Sequence, residues 1–152
     1  MKNKVALAFC LFLLCSCDNH DFYLREKEQT FYVSQMLIFS IEPLDSIGNA
    51  CSYNFVLRTP KPCKEVDTIC LRKRISKKFE VKETSCYMQE FRCDPSFIRL
   101  SPNTQYVVKH YGMGARVNII KYYHTDSLGN LHYDERATKD AEKMYLSSRC
   151  SE

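Results

Sequence analysis

Residues 31–43 read FYVSQMLIFSIEP, a run whose apolar side chains recur largely with a period of two. The side chains that share one face are Phe31, Val33, Leu37, Phe39 and Ile41. Successive side chains of a strand point to opposite faces, so this pattern predicts a half-buried β-strand. Pro43 ends the run, because proline has no N–H to donate to a neighbouring strand.

Shorter segments with the same alternation follow along the chain, at residues 51–57, 66–71, 79–81, 87–91, 97–100, 106–111 and 117–124. Short strands at such intervals predict an all-β sandwich of about seven strands. Residues 135–146 differ, because Ala137, Ala141 and Met144 recur at helical spacing. This end of the chain therefore predicts a short C-terminal helix.

The composition fits one globular domain: 152 residues, 26% charged and 45% hydrophobic. The net charge of +4 is too small to indicate nucleic-acid binding by itself. The first residues have a different character, since Lys2 and Lys4 precede an apolar run, Val5–Leu14, and no acidic residue occurs before Asp18. This pattern is typical of a secretory signal peptide, and the run is shorter than the roughly 20 residues that a membrane-spanning helix needs.

The end of the apolar run, Leu14-Cys15-Ser16-Cys17, resembles the lipobox of bacterial lipoproteins. The resemblance implies that residues 1–16 are a signal peptide and that Cys17 carries the lipid, with fatty acyl chains such as palmitate. It also implies an exported outer-membrane lipoprotein that faces either the periplasm or the cell surface. Residues 17–30 are then expected to form a lipid-anchored spacer, and residues 31–152 the β-sandwich domain.

Nine cysteines occur in the chain, and six remain after Cys10, Cys15 and Cys17 are set aside. These six are Cys51, Cys63, Cys70, Cys86, Cys93 and Cys150. An even number in an exported chain predicts three disulfides, although the sequence does not choose among the possible connectivities. The seven-residue separations favour pairs 63–70 and 86–93, which leaves 51–150. No close Cys-x-x-Cys pair indicates a zinc site.

The segment Leu100, Pro102, Thr104 and Tyr106 has the pattern Leu-x-Pro-x-Thr-x-Tyr. It resembles the entry to strand F of fibronectin type III and other immunoglobulin-like domains. The resemblance implies a tyrosine corner, in which the Tyr106 hydroxyl bonds to nearby backbone and Leu100 plugs the core. Domains of this family serve mostly in adhesion and spacing, so the resemblance implies a fold and no reaction.

The sequence Asp126-Ser127-Leu128-Gly129 is typical of a type I turn followed by a left-handed glycine. That turn would place His124 directly opposite His132, close enough for two imidazoles to share a metal with Asp134 as a third ligand. A solvent-facing histidine pair is the simpler interpretation, and we assign no metal. The pair His124 and His132 stays a candidate metal site.

Five cationic side chains lie within seven residues: Arg72, Lys73, Arg74, Lys77 and Lys78. Such a cluster predicts an anion-binding patch that could meet an acidic glycan or another polyanion. The alternative is a solvated edge strand whose lysines prevent unwanted pairing with another sheet.

Neither a Gly-x-Ser-x-Gly nucleophile motif nor a phosphate-binding glycine loop occurs in the sequence. We therefore expect no enzyme and no cofactor. The sequence predicts a membrane-anchored envelope or surface lipoprotein that acts as a non-catalytic binding, adhesion or spacer module. Its expected partners are the membrane, through the lipid, and an unknown protein or anionic glycan, but no nucleic acid. The alternative is a small periplasmic inhibitor or immunity protein against an envelope-active enzyme, which would resemble the lipoprotein inhibitors of lysozyme.

Overall fold

The computed structural model describes residues 21–44, 50–59, 65–85, 91–112 and 118–149. The strands are β1 (Phe22–Arg25), β2 (Thr30–Ser34), β3 (Met36–Pro43), β4 (Cys51–Leu57), β5 (Val66–Cys70), β6 (Phe79–Ser85), β7 (Phe91–Cys93), β8 (Gln105–Gly112), β9 (Asn118–Thr125) and β10 (Leu131–Tyr133). A turn of 3₁₀ helix spans Glu26–Glu28, and the helix α1 spans Glu135–Arg149. No helix in these ranges is long and apolar enough to cross a membrane.

The strands form two antiparallel sheets that pack face to face. The smaller sheet has the order β1-β2-β5, and the larger has the order β10-β9-β8-β3-β4-β6-β7. Phe22 and Phe31 of the smaller sheet contact Phe39 of the larger, with ring centroids 5.3 and 5.1 Å apart, and Phe31 also contacts Tyr123 at 5.4 Å. The prediction of an all-β sandwich with a C-terminal helix is confirmed, although the described residues contain more strands than predicted.

The sandwich begins at Phe22, before the predicted start at residue 31. Phe22 is fully buried in the core, and β1 pairs with β2 along its whole length. Residues 22–30, expected to belong to a spacer, are therefore part of the domain. The alternation of this strand is too short to recognise in the sequence, because only Phe22 and Leu24 face the core. The charged 3₁₀ turn follows directly after Arg25.

The predicted single strand over residues 31–41 is two strands that belong to different sheets. Gln35 separates them with a left-handed φ of 51°, which turns the chain from the smaller sheet into the larger. Buried positions shift from Val33 to Met36 across this break, and Leu37 is only half-buried. The alternation of residues 51–57 is confirmed, since Tyr53, Phe55 and Leu57 all face the core.

Residues 97–100 do not form the predicted strand. Ile98 is buried and Leu100 packs against the core, but the backbone is held by a side chain instead of by a neighbouring strand. The Tyr53 hydroxyl accepts a hydrogen bond from the Arg99 N–H at 2.8 Å and lies 3.0 Å from the Arg99 carbonyl oxygen.

Tyr106 lies at the start of β8 and is fully buried. Its hydroxyl accepts a hydrogen bond from the Ser101 N–H at 2.9 Å. The Thr104 hydroxyl donates to the Pro102 carbonyl at 3.0 Å, and Thr125 accepts from the Thr104 N–H at 2.9 Å. These side-chain bonds hold the turn that leads into β8.

Gln29 joins the smaller sheet to β10. Its side chain is 2% exposed, its Nε2 donates to the Leu131 carbonyl at 2.9 Å, and its Oε1 accepts from the Leu131 N–H at 2.7 Å. The amide thus satisfies both backbone groups of Leu131 as a neighbouring strand would. Gln29 has a left-handed φ of 47°, which lets its side chain reach β10.

The helix α1 begins after Asp134, whose carboxylate accepts from the Ala137 N–H at 2.9 Å. It packs through Thr138, which is buried and whose hydroxyl accepts from the Tyr122 N–H at 2.9 Å. Met144, predicted on the packed face, is 73% exposed. The contact between α1 and β9 therefore includes a buried threonine, a residue type that the apolar helical pattern did not predict there.

The cysteines that can be placed are Cys51 in β4, Cys70 in β5 and Cys93 in β7. Cys63, Cys86 and Cys150 lie outside the described residues, as does Cys17. Each predicted pair has one such member, and Cys51 and Cys70 are not joined to each other by a disulfide. The three disulfides and the lipid on Cys17 stay predictions.

Candidate functional site

The five predicted cationic side chains lie on the connection between β5 and β6, which contains no strand. They are therefore not part of an edge strand. Arg72 donates to the Asn130 side-chain oxygen at 2.6 Å, which ties the connection to the β9–β10 hairpin. Lys78 forms an ion pair with the buried Asp67 at 2.8 Å. These two cations hold the fold together, whereas Lys73, Arg74 and Lys77 are exposed.

Arg74 and Lys77 line a cleft of about 430 Å³, together with Arg58 from the end of β4. Lys73 is not among its lining residues. The apolar part of the cleft comes from Ile75, Phe79, Val81 and Pro95. Three cationic side chains thus line a cleft whose apolar lining is largely buried, an arrangement suited to an anionic ligand.

Arg58 is fixed in direction by two acceptors. Its Nε donates to the Phe79 carbonyl at 3.2 Å, and its NH2 group donates to Asp94 at 2.5 Å. The second Asp94 oxygen accepts from the Val81 N–H at 3.0 Å. The Val81 N–H and then the Arg58 guanidinium lower the pKa of Asp94, so this carboxylate stays ionised and orients Arg58 at neutral pH.

Arg58 and Asp94 were not predicted as site residues from the sequence. Each follows the end of a strand, β4 and β7 respectively, and they are far apart in the sequence. The Asp94 N–H donates to the Val81 carbonyl at 2.7 Å, and a left-handed φ of 48° at Asp94 then turns the chain. The sequence did contain one indication of this turn, an aspartate directly after a strand, because Asp tolerates a left-handed φ.

The histidine pair has the predicted register. His124 lies opposite His132, Thr125 lies opposite Leu131, and Gly129 has a φ of +79°. The two imidazole rings stack with centroids 5.5 Å apart. The turn chemistry therefore placed these side chains correctly.

His132 bridges two carboxylates. Its Nδ1 lies 3.0 Å from Glu26 of the 3₁₀ turn, and its Nε2 lies 3.4 Å from Asp126. The hydrogen bond to Glu26, followed by the one to Asp126, raises the pKa of His132. Partial burial works to raise the pKa of Glu26, but hydrogen bonds from the Tyr133 N–H and from His132 lower it overall.

The surroundings of the pair suit an ion pair better than a metal centre. Asp134, the predicted third ligand, caps α1 instead. In the part of the chain that the structure describes, no three His, Cys, Asp or Glu side chains gather in a metal-binding arrangement. Asp126 has its pKa lowered by the Asn130 side chain and by backbone N–H groups, which keeps it as the acceptor that shapes the hairpin turn.

No known protein family, characterised protein or solved structure matches this chain.

Proposed function

We propose that this protein is a lipid-anchored, non-catalytic binding module that holds an anionic ligand in the cleft beside Arg58. The observation that carries the proposal is the convergence of Arg58, Arg74 and Lys77 on one cleft with an apolar floor. Arg58 is held in place by Asp94 and the Phe79 carbonyl, so a ligand would meet at least one cation whose geometry is already set.

The lipid anchor rests on the lipobox resemblance at Cys17, and the fold gives it a consequence. Five residue steps separate Cys17 from Phe22, where the sandwich begins. An extended chain covers at most about 18 Å over that length. The domain would therefore lie close to the membrane surface, without the longer spacer expected from the sequence.

An immunoglobulin-like arrangement supports a binding role. Neighbouring strands β1-β2-β5 and β3-β8-β9 have the order of strands A-B-E and C-F-G in that fold. The Tyr106 hydroxyl bonds to the Ser101 N–H, upstream of β8, as a tyrosine corner would. The extra hairpin β6–β7, which follows β5, contributes Phe79 and Val81 to the cleft.

The test measures binding of the full-length protein to heparin by isothermal titration calorimetry. We expect Arg74→Gln combined with Lys77→Gln to weaken binding about tenfold or more, because two cations leave the cleft. The matched control is Arg136→Gln with Lys143→Gln, which removes the same charge from exposed positions on α1.

A loss of affinity in the cleft variant alone supports the proposal. Equal losses in both variants would mean that only net charge matters, and absence of heparin binding by the unmodified protein would refute an anion site. Capture of a periplasmic hydrolase that is unaffected by the cleft variant would favour an inhibitor instead.

A further inference from the structure

A second cleft, of about 440 Å³, adjoins the first. Its lining residues are Glu83, Asp94, Pro95, Ser96, Phe97 and Arg99. Asp94, Pro95 and Ser96 line both clefts, so the segment that follows β7 forms a shared wall. The two clefts therefore lie side by side along this segment.

Residues of one strand line both clefts. Phe79 and Val81 line the first cleft and Glu83 lines the second, at alternate positions along β6. The four residue steps from Phe79 to Glu83 cover about 13 Å in a strand. The combined groove is thus longer than a single sugar ring and suits an extended chain.

Four cationic and two acidic side chains line the two clefts together, so their combined lining carries a net positive charge. Arg58, Arg74 and Lys77 line the first cleft, and Arg99 lines the second. The carboxylates present are engaged by protein donors: Asp94 accepts from Arg58 and the Val81 N–H, and Glu83 lies 3.0 Å from the Tyr53 hydroxyl. Phe97, next to these charges, is 49% exposed and offers a flat aromatic face.

The backbone of the shared wall is already hydrogen-bonded within the protein. The Ser96 carbonyl accepts from the Ile75 N–H at 2.9 Å, and the Arg99 N–H donates to the Tyr53 hydroxyl. A peptide that added as a strand would need such backbone groups. A glycan uses side-chain cations and aromatic faces, so the groove fits an acidic glycan better than an acidic peptide.

We propose that the two clefts form one groove that binds an extended acidic polysaccharide, whose anionic groups meet Arg58, Arg74 and Lys77 at one end and Arg99 at the other. One sugar ring stacks on Phe97. This inference rests on the proposed function, since it assigns a ligand class to the same site and extends it to Arg99 and Phe97.

The experiment compares a heparin disaccharide with a heparin octasaccharide, by calorimetry on the full-length protein. The octasaccharide binds more tightly, because it can occupy both clefts. Arg99→Gln and Phe97→Ala each reduce the ratio of octasaccharide affinity to disaccharide affinity about fivefold, which corresponds to the loss of one contact. Arg136→Gln leaves the advantage unchanged. Thermal melting of each variant checks that the half-exposed Phe97 can be replaced without unfolding.

Three results would overturn the inference, in distinguishable ways. If heparin binding depends on Arg74 and Lys77 but not on Arg99 or Phe97, the single groove is wrong while the proposed function stands. If no heparin fragment binds, both fall together. If inorganic polyphosphate or a poly-glutamate peptide of similar charge displaces the octasaccharide more effectively than heparin itself, the glycan assignment is wrong.

Discussion

Gln29 shows how much one buried polar side chain contributes to this sandwich. Its amide donates to the Leu131 carbonyl and accepts from the Leu131 N–H. Without Gln29, these two backbone groups would be buried without a hydrogen-bond partner. Because Gln29 is itself buried, water cannot easily replace these bonds. The residue therefore fixes the position of β10 against the smaller sheet.

We expect Gln29→Ala to lower the free energy of unfolding by about 2–4 kcal/mol, because two buried backbone groups lose their partners. Chemical denaturation measures the change. Gln35→Ala is the matched control: it has a similar left-handed φ, and its side-chain oxygen has no hydrogen-bond partner among the described residues. If both variants lose a similar free energy of unfolding, the effect comes from backbone strain and not from the hydrogen bonds with Leu131.

Tyr106 gives a second test at a single atom. Tyr106→Phe removes the hydroxyl that accepts from the Ser101 N–H and keeps the buried ring. We expect a loss of about 1 kcal/mol in unfolding free energy, the usual effect of one hydrogen bond. Tyr133→Phe, at a half-exposed ring, is the control and should change little. An unchanged stability in Tyr106→Phe would argue against a structural role for this bond.

Among the structural elements, the connection between β5 and β6 depends on an ion pair. Lys78 contacts Asp67, whose side chain is 2% exposed. Lys78→Met should destabilise the protein by about 2 kcal/mol, since it removes a cation beside a buried carboxylate. Lys77→Met, one position earlier and exposed, should have little effect. If the two variants unfold alike in urea, the ion pair does not hold this connection.

The contact between the 3₁₀ turn and β10 should make stability depend on pH. His132 has its pKa raised above 6.5, so its contribution is complete below about pH 6.5 and is lost as pH rises through the raised value. Glu26 has its pKa lowered below 4.5, so its contribution is present above about pH 4.5 and is lost on further acidification. The contact is therefore strongest between these two values.

Melting temperatures across pH 4–9 test this expectation. The difference between the unmodified protein and His132→Gln should shrink as pH rises above 6.5. His124→Gln keeps both carboxylate contacts of His132 and should keep the pH dependence. A difference that is constant across the range would contradict a charged His132.

Sequence patterns predicted the elements whose own residues decide their structure. The alternation of residues 51–57 gave β4, and the Asp126–Gly129 turn gave the register that pairs His124 with His132. The predictions that were wrong concern segments whose structure depends on residues far away in the sequence. β1 is a strand because it covers the core with Phe22, and residues 97–100 are irregular because Tyr53 satisfies their backbone. The cleft was only partly predictable, since Arg58 and Asp94 join Arg74 and Lys77 through folding alone.

At the scale of the whole molecule, the proposed lipid anchor and the proposed ligand site can be tested separately. We expect Cys17→Ser to move the protein from the membrane fraction to the soluble periplasmic or extracellular fraction, because no acyl chain is then attached. Labelling with radioactive palmitate, compared between the unmodified protein and Cys17→Ser, measures the attachment directly. Cys10→Ser, within the proposed signal peptide, is the control. Label that persists in Cys17→Ser would mean that the lipid is attached at another residue, and absence of label in the unmodified protein would refute the lipid anchor.

The location of the bound polyanion tests the proposed function most directly. Amide chemical shifts of the ¹⁵N-labelled protein are recorded during titration with a heparin octasaccharide. We expect the largest changes at residues 74–77 and 94–97, with Arg58, and little change along α1. Changes confined to α1, or to the outer face of the smaller sheet around Tyr23 and Tyr32, would contradict binding in the cleft.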